Sequence, residues 1–303
     1  MLSICIPAYN CNVDALVGEL QNQASSISVD VEIVVGDDCS PIPVLSNSSS
    51  FHKVQVIRNS KNLGRSTTRN LLAKAARFPV MLFLDGDSEV ISASFLANWI
   101  ALAESDSVHV SYGGSLYQLD PPSNHQMLRW KVSTIRESQL LNVRKQSVGG
   151  FKTNNVLIRK SVFERVVFNE KLAGYGHEDT LFGFELLVNG YTVHQIDNPV
   201  RNALLDTNEA YLAKTEEAIQ NLVACIRLSS NREAFIAHVR LLRGYAKMRK
   251  SLVIPLLRAM ALFGLPLLRK RLLAGRSVGL VYLFDCFKLV MLDRTLKEHH
   301  IKV

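Results

Sequence analysis

Over roughly the first third of this 303-residue chain, short apolar runs alternate with stretches whose apolar positions recur every three to four residues. The runs LSICIP, VEIVVG, VQVI, VMLFLD and VHVSYGG are rich in β-branched and aromatic residues and are read as strands. Between them, residues 13–24, 65–76 and 95–103 carry helical spacing. Strands alternating with helices in this way predict an α/β fold, a mostly parallel sheet flanked by helices on both faces. VEIVVG and VMLFLD are apolar almost throughout, as central strands buried on both sides should be.

Further along, residues 118–150 are polar and without a clear period, and 41–50 form a Pro- and Ser-rich loop. A second apolar group follows at 153–158 and 191–196, where His194 is read as a core position of its strand. Beyond about Asn208 the pattern is helical to the last residue, and Thr207 is placed to cap the first of these helices. The chain thus divides into an α/β unit, 1–207, and a helical region, 208–303.

Charge sharpens this division. The 35 Lys and Arg against 27 Asp and Glu give a net charge of +8, which favours anionic partners: nucleotide phosphates, nucleic acid or an acidic membrane surface. Nucleic acid has only the net charge in its favour and is not expected as a partner. From Arg240 onward the chain holds Arg240, Arg243, Lys247, Arg249, Lys250, Arg258, Arg269, Lys270, Arg271 and Arg276, with acids nearly absent. Its apolar runs are broken by Pro255, Arg258, Pro266, Asp285 and Lys288, so none is a convincing membrane span. Amphipathic segments lying on an anionic membrane fit the pattern, and a helical lid or dimer surface with solvated cations is the alternative.

Cys5, Cys11, Cys39, Cys225 and Cys286 are odd in number and form no CxxC pair, which suggests a reducing compartment rather than a disulfide framework. The N-terminus enters a strand-like run at once, without the features of a secretion signal. A cytoplasmic location is expected, with the helical region peripheral on the inner membrane face.

Ligands of open α/β sheets bind beyond the carboxyl ends of the strands, and four such ends are loaded here: PAYN at Pro7, Ala8, Tyr9 and Asn10; GDDCS with Asp37 and Asp38; KNLGR with Asn62, Gly64 and Arg65; and LDGDS with Asp85, Gly86 and Asp87. The acids of LDGDS offer hard oxygens suited to Mg²⁺ or Mn²⁺ carried with a diphosphate, or they form an ordinary turn. Asp37 and Asp38 repel each other unless a metal, a donor or solvent relieves them. Arg65 and Arg69, one helical turn apart, share a face that meets phosphates or is simply solvated. No GxGxxG follows the first strand, which argues against a nicotinamide-dependent enzyme, and no Gly-rich basic loop there suggests a nucleotidyltransferase.

Taken together and in this order, the clusters resemble the family 2 glycosyltransferases of the GT-A (Rossmann-like) type, over about residues 2–215. PAYN is similar to the family's nucleotide-contacting PxYN, GDDCS to its DDxS and NLGRSTTRN to its NxGxxxxRN. The resemblance implies a donor site at Pro7, Ala8, Tyr9, Asn10, Asp37, Asp38, Asn62, Gly64, Arg65, Arg69, Asp85 and Gly86, with Asp38 on the base. LDGDS is similar to the DxD motif, which implies Asp85 on the ribose side and Asp87, with Asp85, at a Mg²⁺ or Mn²⁺ ion. GGFKTNNVLIRKSVF looks like the acceptor-side strand, with Asn154 and Asn155, and AGYGHEDT like the segment carrying the catalytic pair Glu178 and Asp179. Asp179 is then the general base on the acceptor hydroxyl, Glu178 helps to hold the acceptor, and His177 approaches it.

Many members carry a metal-binding histidine after the next strand, where this chain has Arg201 and Asn202. The implied reaction is inverting transfer from a nucleotide-diphosphate sugar, with a UDP-sugar the expected donor, to a glycan or lipid-linked acceptor whose contacts lie largely in 118–150. A catalytically inactive nucleotide-sugar-binding protein is the alternative, and Asp87 together with Asp179 weighs against it.

Overall fold

A computed structural model describes residues 1–46, 51–138, 151–202, 204–249, 251, 253–276 and 278–303. The strands β1 (Leu2–Ala8), β2 (Val31–Asp37), β3 (Val54–Arg58), β4 (Val80–Leu84), β6 (Val110–Tyr112), β8 (Asn155–Arg159) and β9 (Val193–Gln195) form one sheet in the order β3-β2-β1-β4-β8-β6-β9. All run parallel except β8, which is antiparallel to both β4 and β6. That reversal matters for the site. It brings the start of β8 beside the end of β4, with Asn155 opposite Leu84.

The period-two pattern explains why the central strands are buried on both sides. Ile4 and Ile6 of β1 and Leu82 and Leu84 of β4 pack with α1 (Asp14–Ser25) and α3 (Phe95–Ala103) through Leu16, Leu20, Phe95 and Trp99. The alternate residues Cys5, Met81 and Phe83 join Leu72 of α2 (Gly64–Ala75), Phe163 and Phe182 on the other face. The runs read as strands and helices in the first third all fold as such. His194 does not join the core, because β9 is an edge strand and its side chain is exposed.

A small second sheet, in the order β5-β10-β7, is made by β5 (Ser88–Val90), β7 (Ser115–Leu116) and β10 (Val200–Asn202). Its register sets Asn202 opposite Ser88, one residue beyond the DGD turn.

The long helix α7 (Asn208–Leu228) begins where the sequence places it, with the Thr207 hydroxyl accepting the Ala210 N–H at 3.2 Å. It is followed by α8 (Arg232–His238), α9 (Arg240–Met248), α10 (Val253–Ala259), α11 (Leu265–Ala274) and α12 (Leu280–Glu298). These helices share apolar clusters with the α/β half. Leu222, Ile226, Phe235 and Leu292 pack with Leu181 and Phe184, while Tyr211, Phe284 and Phe287 pack with Leu128 and Val132. Among the described residues, no helix is long and apolar enough to cross a membrane.

Candidate active site

Two open spaces meet at the carboxyl end of the sheet. The smaller, about 510 Å³, is lined by Pro7, Ala8, Tyr9, Asn10, Asp38, Asn62, Gly64, Gly86 and neighbours. The larger, about 660 Å³, takes in Asn154, His177, Glu178, Asp179 and residues of the C-terminal helices. Arg65, Arg69, Asp85, Asp87, Arg129, Tyr175 and Asn202 line both and form their common wall.

The smaller cleft is held by backbone donors. Asp38 accepts the N–H groups of Leu63 and Gly64, each at 2.8 Å, and the Asn59 amide at 2.8 Å. Its carboxylate therefore satisfies the free donors at the start of α2, where a negative charge is favoured. The Asn10 N–H donates to the Ser40 hydroxyl at 2.9 Å and ties the PAYN turn to the β2 loop. Gly86 is required by crowding, since a Cβ there would lie 2.9 Å from the Cys11 sulfur. Tyr9 is half exposed at the cleft.

Several sequence-predicted residues take other roles. Asp37 does not line the cleft. It is buried, accepts the Ser40 N–H at 2.8 Å and pairs with Arg58 at 3.2 Å. Asn155 is fully buried and donates to the Gly114 and Asn198 carbonyls, so it braces the sheet and does not face the larger cavity. Asn154 does face it, and bonds to Ser115 and to Asn202. Arg201 is drawn away to Glu89, while Asn202 stays at the junction.

Arg69 is the hinge of the whole arrangement. Only 2% exposed, it donates to Asp85 at 2.7 Å and to Glu178 at 3.2 Å, and so joins the DGD turn to the ED segment. It therefore does not offer a free phosphate-binding face. Arg65 is freer: it lies 3.6 Å from Glu178 and stacks over the Tyr175 ring.

The ED segment enters α6 (Glu178–Val188) through a tight turn in which Gly174, Gly176 and His177 all have positive φ. A Cβ at Gly176 would come within 2.8 Å of the Ala218 methyl carbon, so α7 presses the turn into place. Burial disfavours charge on Glu178, but Arg65 and Arg69 outweigh it and hold that carboxyl below its usual range. Asp179 goes the other way. Burial, and then the Glu178 charge, push it up to about 6. Its Oδ1 accepts the Thr180 N–H at 2.7 Å. Burial lowers His177 to about 4, and its ring bonds to the Thr180 hydroxyl, so it is neutral at physiological pH.

Residues unmarked by any local motif complete the larger cavity. Glu137 binds Arg129 at 2.7 Å and Lys152 at 2.5 Å, and Arg129 is flanked by the Tyr117 and Tyr211 rings. Burial works against the Glu137 charge, yet Lys152 and Arg129 hold it well below the carboxylate range. Asp87 is raised, first by burial and then by the Asp85 charge. A divalent cation would relieve that repulsion. Two carboxylates with the Asn202 amide nearby make a hard but incomplete oxygen set, and among the described residues no third acid, His or Cys completes a cluster. Such a set suits an ion that takes its remaining ligands from phosphates and water.

The model of the family described as glycosyl transferase family 2 matches residues 3–167, more than half of the chain. The chain belongs to that family. A glycosyltransferase of uncharacterised role from Haemophilus influenzae is 40% identical over 89 residues, a match that covers 29% of this chain and 29% of the relative. Among solved structures, a Pyrobaculum calidifontis mannosyltransferase in complex with GDP-Man and Mn²⁺ superposes with a TM-score of 0.58 at 14% identity, over 97% of this chain and 86% of the other. A Mycobacterium tuberculosis glucosyl-3-phosphoglycerate synthase, held with UDP, Mn²⁺ and its product, gives 0.51 at 16% identity, over 74% and 79%. At these identities the likeness is one of fold, and the chain has the GT-A architecture.

Proposed function

We propose that this glycosyltransferase moves a sugar from a nucleotide-diphosphate donor, a UDP-sugar, to a hydroxyl of a glycan or lipid-linked acceptor, with inversion at the anomeric carbon. The observation that carries the reading is the buried Arg69 bridge, which ties Asp85 of the donor cleft to Glu178, the neighbour of the raised carboxylate Asp179. The solved relatives that hold GDP-Man or UDP beside Mn²⁺ support the donor class.

In this reading the base lies against Tyr9, and the diphosphate lies beside Arg65 in the first turn of α2. Mg²⁺ or Mn²⁺, held by Asp87 with Asp85, supplies positive charge to the departing diphosphate when bound. Asp179 accepts the acceptor proton as the new bond forms. A carboxyl poised at about 6 is ionised at neutral pH yet more basic than an ordinary aspartate. Glu178, fixed by two arginines, keeps its charge and holds Asp179 up. We assign residues 1–207 to the transferase unit and 208–303 to a helical region that walls the acceptor cavity.

The outward side of that region supports a peripheral, inner-face location. Leu262, Phe263 and Leu267 are exposed, as are Lys270, Arg271 and Arg276, and no acid occurs between Glu233 and Asp285. Apolar side chains among unopposed cations fit an anionic lipid surface.

Asp179→Asn tests the assignment. Transfer should fall by roughly 10²- to 10⁴-fold, the scale of general base catalysis, while nucleotide affinity measured by calorimetry stays the same. Near wild-type transfer would place the base elsewhere. Lost nucleotide binding would make Asp179 part of the donor site.

A further inference from the structure

The acceptor cavity is electrically polarised. At the junction with the donor cleft, four carboxylates (Asp85, Asp87, Glu178 and Asp179) face two arginines, Arg65 and Arg69. The rest of the cavity has the opposite balance. Arg129 and Lys152 share the single carboxylate of Glu137, and Arg136 and Lys288, each at 2.8 Å, share that of Asp285. Arg240 lines the same space and has no charged partner among the described residues. Counting Arg129, which also lines the common wall, five cations thus face two carboxylates, an excess of three positive charges in this part of the cavity, against one over the cavity as a whole.

The cations are enclosed to different degrees: the Lys152 and Lys288 side chains are about two-thirds buried, whereas Arg240 is exposed. The Lys152 ammonium has two N–H donors beyond the one given to Glu137. Three of the cations come from the α/β half and two, Arg240 and Lys288, from helices α9 and α12, so the charge converges only once the helical region has docked. Beside it the same helices present Leu241, Met248, Phe284 and Leu289. A carboxylate would offset one of the three charges. A phosphate carries more charge and three acceptor oxygens, matching the set of donors more fully.

We propose that the acceptor carries a phosphate group, held in this cavity by Lys152, Arg240 and Lys288 with Arg136, next to an apolar segment of the same molecule. The inference rests on the transferase reading of the site and names the class of acceptor it takes. A phosphate at this end leaves the opposite end of the acceptor, with its hydroxyl, toward Asp179.

The test uses the full chain with the donor cleft saturated by UDP and Mn²⁺, so that a phosphate probe cannot enter there. Calorimetry then compares n-octyl phosphate, glucose 6-phosphate and the neutral n-octyl glucoside. Both phosphates should bind at least about tenfold more tightly than the glucoside, with affinity falling as salt is raised. Stronger binding of octyl phosphate assigns the group to a lipid-type carrier, and stronger binding of glucose 6-phosphate to a phosphorylated glycan. The Arg240→Gln, Lys288→Gln double variant changes two partly exposed positions and should weaken the phosphates about tenfold or more. Its UDP affinity should be unchanged, and Arg240→Lys with Lys288→Arg should restore most of the loss. Equal affinity for phosphate and glucoside, or phosphate binding untouched in the Gln variant, overturns the inference while UDP binding leaves the transferase reading standing. Failure of the wild-type chain to bind UDP, GDP or another nucleoside diphosphate overturns both.

Discussion

The proposed donor cleft and the proposed acceptor cavity share a wall but are held by different forces. The cleft is fixed by short-range hydrogen bonds between carboxylate, hydroxyl and backbone, as in Asp38 to Leu63 and Gly64 or Ser40 to Asn10. The cavity is fixed by ion pairs and ring stacking, as in Arg129, which pairs with nearby Glu137 and lies between the Tyr117 ring and the ring of Tyr211 from α7. Most of the first site is set once the sheet and α2 have formed, with Lys214 and Glu217 of α7 completing its lining. The second needs the C-terminal helices docked as well, so its geometry depends on the apolar clusters that join the two halves.

The largest effect should come from removing the buried side chain that bridges Asp85 and Glu178 in the common wall. Arg69→Met leaves Asp85 and Glu178 without their shared cation, and breaking a buried pair in this way costs about 3–5 kcal/mol. Urea denaturation should show that loss, with nucleotide binding and transfer weakened together. A variant as stable as wild type would mean that the two regions are not coupled through Arg69.

Asp87→Ala should separate them instead. Mn²⁺-dependent nucleotide affinity should drop by at least about tenfold, the scale on which altered metal surroundings act. Binding of an acceptor probe should be unaffected. Equal nucleotide affinity with and without Mn²⁺ in the wild-type chain would remove the metal from the donor cleft.

The smallest effect concerns the outer side of the helical region. Lys270→Gln should weaken sedimentation with vesicles containing anionic phosphatidylserine by about fivefold, corresponding to roughly 1 kcal/mol per basic residue near the surface. Purely neutral vesicles should bind poorly at any salt. Equal partitioning to neutral and anionic vesicles would leave the patch without an electrostatic role.

The same contrast explains what the sequence discloses. The donor cleft is legible because its residues follow strand ends in compact clusters, where free backbone donors are always available. Even there, neighbouring residues are not equivalent. Asp37 ends β2 while Asp38 follows it, so only the second lines the cleft, and Asn154 and Asn155 divide in the same way at the start of β8. Successive side chains point to opposite faces, and a pair of like residues at a strand end contributes one to the site. His194 fails for a related reason: apolar neighbours suggest a core strand, but β9 is at the edge of the sheet.

The acceptor cavity leaves no such trace. Glu137, Lys152 and Tyr211 meet across gaps set by the fold, and each alone reads as an ordinary polar or aromatic residue in a loop or helix. The part of the loop expected to meet the acceptor that spans 139–150 lies outside the described residues.

The central claim is that the reaction takes place where the two regions meet, with Asp179 as the base. The most direct test is kcat/KM for the acceptor against pH at saturating donor. Because Asp179 is raised to about 6, it is protonated and inactive below that value and ionised above it. The rate constant should rise about tenfold per pH unit below 6 and level off above about 7, while nucleotide affinity stays flat over that range. In Asp179→Asn the residual rate should lose this limb. A wild-type profile without a limb near 6, or a limb that persists unchanged in the variant, would contradict the account.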